Sequence, residues 1–313
     1  MGLSKINDVT LENVSKVKSV ARANIAKIAD VQVAAAATFS DDYAVSRSLT
    51  EGSSQAVRIA DGNGLMNYTQ NTAFSVSFWV KVGWNASLNT NVHLFSSTAT
   101  GSTNGSDHMI RCYYNEVNNR LYWEMRSSSS STLKYNFWLF QANYSPYQEA
   151  YSAAGLGTSY WSNTNRGNTG DGSFTMITFS YAGNNSFTNA NIDAYWNGTN
   201  LGQGFYANGN NSGTLNLSAS TDRQIALGSN TWNYKKSGND TESQYNDLTI
   251  WNKRLSDTEV SELYNEGTRL DATTHSAAND LEAYYKLEND GSDSSGNNHP
   301  SFEVNGNSNF VSI

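Results

Sequence analysis

Acid–base and metal chemistry need carboxylates, histidines or thiols brought together, so those residues are the place to begin. Cleaving a glycosidic bond takes two carboxylates, about 5 Å apart in retaining enzymes. The aromatic-rich run "RLYWEMR" carries a lone Glu124. Glu288 and Asp290 stand two apart, but Gly291 follows at once and the segment reads as a solvated turn. The histidines are His93, His108, His275 and His299, with no H-E-x-x-H and no H-x-H among them. His93 adjoins Leu94 and Phe95, which suits a core or surface role better than metal ligation. No G-x-S-x-G elbow and no phosphate loop occurs. Cys112 is the sole cysteine, which rules out an internal disulfide and a cysteine-based zinc site within the sequence. No catalytic residue is expected, and the chain reads as a non-enzyme. Asp107, Asp171, Asp240 and Asp293 lie among Asn and Gly, a setting that suits a hard cation such as Ca²⁺, although none follows an EF-hand register and lone loop acids are mostly solvated. No other cofactor is expected.

The residues best suited to binding are aromatic. "YNFWLFQANYSPYQEAYSAAGLGTSYWSNTNRG" separates two strand-like segments and places Tyr144, Tyr147, Tyr151, Tyr160 and Trp161 among Asn, Ser and Gln. Trp84 in "GWNASLNTN" is a second loop aromatic. Flat rings beside amides and hydroxyls suit a sugar face, suit a protein partner equally well, and also pack sheet edges. Trp79, Trp123, Trp196 and Trp251 fall inside strand patterns and read as core or sheet-face residues.

The elements that must carry these residues are strands. Charged residues make up 15% of the 313, aromatics 12%, and Asn, Ser, Thr and Gly supply the polar surface, a mixture that favours strands and turns. A net charge of -8, with no Lys/Arg cluster, speaks against nucleic acid as a partner. No apolar run is long enough to cross a bilayer, and the start lacks a signal-peptide pattern, so no membrane partner is expected. From Thr38 onward, short β-branched and aromatic runs alternate with Gly/Asn/Ser turns. In "FSVSFWVKV", Phe74, Val76, Phe78 and Val80 fall on one face and Trp79 on the other. One segment differs. In "RLSDTEVSELYNEG", Ser256 and Glu259 form a capping box, Val260, Leu263 and Tyr264 make an apolar face, and Gly267 closes a short helix.

The first 37 residues follow another rule. Ser4 to Ala36 repeats one phrase three times at an interval of 11 residues. Ile6, Val9, Leu11, Val14, Val17, Val20, Ile25, Ile28 and Val31 are its apolar positions. As a helix, Ile6, Val9, Leu11 and Val14 of the first copy spread too widely for a narrow seam, and Val9-Thr-Leu11 and Val31-Gln-Val33 alternate as strands do, so β is favoured over helix. Such a segment is too short to form its own core. It packs either on its following domain or, as repetition favours, on sister copies or a larger scaffold.

"FSVSFWVKV", "FTMITFSYAG…NIDAYWNGTNLG", "RQIALGSN" and "YNDLTIWNKRLSDTEVSELYNEG" together resemble the laminin-G-like branch of the concanavalin A-like lectin/glucanase jelly rolls. Tyr195-Trp-Asn-Gly198, Asp247 to Trp251 and Leu255 to Tyr264 fill the family's places, and Phe174 stands where the family often has Trp. The tail "LEAYYKLENDGSDSSGNNH" matches a segment that covers or closes the sandwich in that family. The glucanase members' strand of alternating acids is missing, and Glu282 and Glu288 are too far apart to supply it. The repeated N-terminal phrases resemble the start of tailed-phage structural proteins. The resemblances imply an all-β chain: a concanavalin A-like antiparallel β-sandwich (jelly roll) over 38–313 with one short helix, preceded by a docking arm over 1–37. They imply a non-enzymatic virion structural protein (a decoration, tail or fibre component), assembled in the host cytoplasm. The arm would engage other virion proteins and sister copies in a homo-oligomer. The alternative is a carbohydrate-binding module for a host surface glycan.

Overall fold

The structure, a computed structural model, describes residues 42–47, 57–59, 62–69, 71–82, 91–99, 109–115, 120–126, 133–138, 174–183, 191–201, 206–207, 223–228, 243–305 and 308–313. All lie within the compact unit Asp41–Ile313. The nine arm positions, the six loop aromatics from Trp84 to Trp161, and Asp107, Asp171 and Asp240 lie outside the described residues.

In chain order the first strands are β1 (Tyr43–Arg47), β2 (Val57–Ile59), β3 (Phe74–Val82), β4 (Asn91–Ala99), β5 (Met109–Asn115), β6 (Arg120–Arg126), β7 (Leu133–Trp138) and β8 (Thr175–Tyr181). Then come β9 (Ile192–Trp196), β10 (Thr199–Asn200), β11 (Tyr206–Ala207), β12 (Arg223–Leu227) and β13 (Ser243–Trp251). The helix α1 (Asp257–Tyr264) precedes β14 (Leu281–Tyr285), β15 (Glu303–Val304) and β16 (Asn309–Ser312). They form two antiparallel sheets. One runs β10-β9-β8-β3-β13-β1-β16, with β14 also on β13; the other runs β11-β7-β6-β5-β4-β12-β2-β15. This is an all-β sandwich with one short α-helix among the described residues.

Period-two alternation builds the core. Phe74, Val76, Phe78 and Val80 of β3 point into the gap between the sheets and are buried, as their spacing requires. Phe78 reaches across to Phe95 and Trp123 of the opposite sheet, and Trp123 stacks on Phe179 with ring centroids 5.0 Å apart. Trp79 faces outward but is still buried, stacked on Tyr264 of α1 at 5.6 Å. Trp123, Trp196 and Trp251 are fully buried.

The structure corrects four expectations. Residues Tyr135 to Trp138 belong to β7, paired with β6 and β11, and not to an inter-strand connection. Helix α1 ends at Asn265 in the left-handed conformation, ahead of Gly267, because Asn tolerates a positive φ at this position. Glu288 is not a solvated turn residue: it accepts the backbone N–H groups of Asp42 and Tyr43 and the Asn246 side-chain amide. Asp293 is half-buried and hydrogen-bonded, not a freely solvated loop acid. Its oxygens accept from the N–H groups of Tyr284, Ser295 and His299 and from the Ser295 hydroxyl. Those four bonds organise the tail that closes over β14.

Candidate functional site

The outer face of the β3 sheet carries a row of small hydroxyls. Ser75 Oγ lies 2.8 Å from Ser180 Oγ, and Ser77 Oγ lies 2.8 Å from Thr178 Oγ1. Short side chains there let the chain after β13 settle close to the sheet. Ser75 Oγ donates to the Lys253 carbonyl and accepts the Leu255 N–H at 2.9 Å. The Ser256 capping box then fixes the first turn of α1, with the Ser256 hydroxyl accepting from Glu259 N and the Glu259 carboxylate accepting from Ser256 N. His275, buried against Trp251, meets the Glu259 carbonyl through Nε2 at 2.9 Å and supports the helix from beneath.

The β9–β10 hairpin forms the opposite wall. Its turn is Asn197-Gly198, both at positive φ (48° and 75°), as a two-residue hairpin demands. A Cβ on Gly198 would stand 2.8 Å from the Cβ of Tyr264, so glycine is also needed for close approach to α1. In β9, Ile192, Ala194 and Trp196 enter the core, which turns Asp193 and Tyr195 outward. Asn200 is the register partner of Tyr195 and so shares its face.

Between these walls lies an open groove of about 480 Å³, lined by Asp193, Tyr195, Asn200, Arg254, Leu255, Ser256, Asp257 and Thr258. Its polar groups are braced in pairs. Arg254 Nε donates to Asp193 Oδ2 at 2.6 Å. Tyr195 OH, at 2.9 Å, and Asn200 Nδ2, at 2.6 Å, both donate to Asp257 Oδ1. Burial, with Asp193 and Asp257 close by, pushes the Tyr195 phenol far up, so it stays a donor. The hydrogen bond to Asp193 raises the Arg254 pKa further, which keeps the guanidinium charged. Among the described residues these bonds leave Asp193 Oδ1, Asp257 Oδ2, the two terminal nitrogens of Arg254 and the Thr258 hydroxyl uncommitted. The groove therefore offers acceptors and donors side by side, each on a side chain that a neighbour already holds in place. A volume in the range of roughly 300–1,000 Å³ is typical of small-ligand clefts.

None of these groove residues stands out in the sequence as a binding residue. One signal was there: in "NIDAYWNG" the apolar residues Ile192, Ala194 and Trp196 leave Asp193 and Tyr195 on the other face. Elsewhere, Glu124 is buried and paired with Arg111, whose Nη2 lies 2.5 Å from Glu124 Oε2. His93 is half-buried, with its ring 5.6 Å from that of Tyr113. Among the described residues no group of three or more His, Cys, Asp or Glu is arranged to hold a metal ion, and no helix is long and apolar enough to cross a membrane.

No family model and no curated protein matches this chain. Solved structures do. The receptor binding domain of botulinum neurotoxin D is 15% identical, with a TM-score of 0.44, over 71% of this chain and 43% of that one. The binding domain of Paraclostridial Mosquitocidal Protein 1 is 13% identical, with a TM-score of 0.40, over 69% of this chain and 46% of that one. A Bacteroides ovatus protein described as a "putative carbohydrate binding protein" is 9% identical, with a TM-score of 0.47, over 87% of this chain and 60% of that one. This chain thus spans less than two thirds of each of these solved chains. At TM-scores below 0.5 these likenesses carry no weight for fold or function.

Proposed function

We propose that the sandwich is a non-enzymatic binding domain that takes a carbohydrate in the groove between β9–β10 and the start of α1. The braced Asp193–Arg254 and Asp257–Tyr195–Asn200 sets carry this reading. A sugar hydroxyl both donates and accepts. Two neighbouring hydroxyls could donate to Asp193 Oδ1 and Asp257 Oδ2 while accepting from the terminal nitrogens of Arg254. Bracing means that little side-chain entropy is lost on binding. Both carboxylates are occupied in holding or being held, an arrangement suited to recognition more than to proton transfer. Incubating the full chain with an array of host surface glycans tests the proposal. Binding that disappears in Asp257→Ala supports it, and an array silent to folded protein overturns it.

The repeat over Ser4 to Ala36 favours a wider reading as well: a virion structural protein that docks by this arm and displays the sandwich. Three copies of one phrase give three linked contacts, which resist detachment better than one. Deleting Ser4 to Ala36 is expected to leave a folded sandwich that no longer incorporates into particles. Normal incorporation of the truncated chain would refute the docking role.

A further inference from the structure

Resting on the reading of the groove as a sugar site, we propose that it selects neutral, hydroxyl-rich sugars and rejects acidic ones. Two features of the groove point the same way.

The first is charge. Asp193 and Asp257 bring two carboxylates to the lining and Arg254 one cation, already paired with Asp193 at 2.6 Å. The next cation along the chain, Lys253, is committed to Glu259 at 2.7 Å and lies 3.7 Å from Asp280. Among the described residues no surplus positive charge lines the groove for an incoming anion, and the chain as a whole carries -8. The second feature is hydrogen-bond polarity. A uronate, sialate or sulfate group is acceptor-only. It can use the Arg254 nitrogens, but it then faces the open oxygens of Asp193 and Asp257, which are also acceptors. A pair of neutral hydroxyls meets both kinds of group. Rejection therefore arises from a repulsive element built beside the attractive one.

The test is an NMR titration of the isotope-labelled full chain. The probes are the methyl glycosides of glucose, galactose and mannose, and of the matching uronic acids, which differ only in the carboxylate at C6. At low salt, at least one neutral glycoside is expected to shift the amide signals of Asp193, Tyr195 and Thr258. Its uronate is expected to bind roughly fivefold more weakly, as one added like charge a few ångströms away implies. The gap should narrow in high salt, and Asp193→Asn, which removes one carboxylate charge, should narrow it too. If the variant does not fold, the salt series alone reads the repulsion. Uronates that bind as tightly as the neutral sugars with the same shifts, or a gap indifferent to salt, would overturn the charge selection while leaving the sugar site standing. No groove shift with any of the six probes would count against the sugar site itself, and this inference would fall with it.

Discussion

Glu288 offers a sharp test of how the tail holds the sandwich together. Its Oε2 accepts the N–H groups of Asp42 and Tyr43 at 3.0 and 2.9 Å, and its Oε1 accepts Asn246 Nδ2 at 3.1 Å. One carboxylate thus ties the entry of β1 to the β13 bulge. The Asn246 amide cannot flip to accommodate a change. Its Nδ2 also donates to the Tyr43 carbonyl at 2.6 Å, and its Oδ1 accepts from Asp247 N at 2.9 Å. Glu288→Gln therefore keeps one good acceptor but sets an amide nitrogen against either the two backbone N–H groups or Asn246. Glu288→Ala loses all three bonds. A net value of about 1 kcal/mol per bond at a partly exposed position puts the alanine variant about 2–3 kcal/mol down and the glutamine variant about 1 kcal/mol down. For a domain of this size those losses lower Tm by about 5–10 °C and about 2–4 °C. Differential scanning calorimetry at neutral pH gives the order wild type, then Gln, then Ala. An alanine variant melting within about 1 °C of wild type would show that β1 is held without Glu288, and the reasoning would be wrong.

Two further predictions concern the same scaffold. Gly183 has φ +69°, and a Cβ there would lie 2.3 Å from Ala73 N, a backbone atom that cannot move aside, whereas Gly296 has φ +91° with nothing within 4 Å. Gly183→Ala is expected to cost about 3 kcal/mol or more and Gly296→Ala only about 1 kcal/mol, read from their melting temperatures. His299 Nε2 sits 3.1 Å from Glu282 Oε1 and clasps the tail to β14. Glu282 raises the His299 pKa, so the histidine's contribution is full below its ordinary value near 6.5 and fades as pH rises through the higher folded value. His299 lowers the Glu282 pKa, so the carboxylate's contribution is full above about 4.3 and fades as pH falls through the lower folded value. The stability gap between wild type and His299→Gln, read from thermal melts across pH, is therefore expected to peak at about pH 4.5–6.5, at no more than about 1 kcal/mol given the partial exposure, and to shrink by about pH 9. A gap that is flat with pH would exclude the clasp.

What could be read from the sequence was what local periodicity and capping encode. Phe74, Val76, Phe78 and Val80 alternate, and the alternation alone assigns them to the core. Ser256 and Glu259 sit three apart, and that spacing alone assigns the start of α1. Asn197-Gly198 marks its own hairpin. The groove obeys no local rule. Asp193 and Arg254 are 61 residues apart, and Asn200 and Asp257 are 57 apart. One local fact and two long-range ones bring them together: the Tyr195–Asn200 hairpin register, the Ser75 hydroxyl that docks Leu255, and the missing Cβ of Gly198 beneath Tyr264. Gly198 shows its turn in the sequence but not its approach to Tyr264, and the other residues look ordinary because their roles are fixed by what they meet. Glu288 was misread for the same reason. Its neighbours Asn289 to Gly291 signal a turn, while its partners are 245 and 42 residues away at Tyr43 and Asn246. A carboxylate's role depends on the donors around it. In a sandwich whose sheets join distant strands, those donors are seldom neighbours in sequence, so the polar site of such a fold is hidden in its register even when its apolar core is plain.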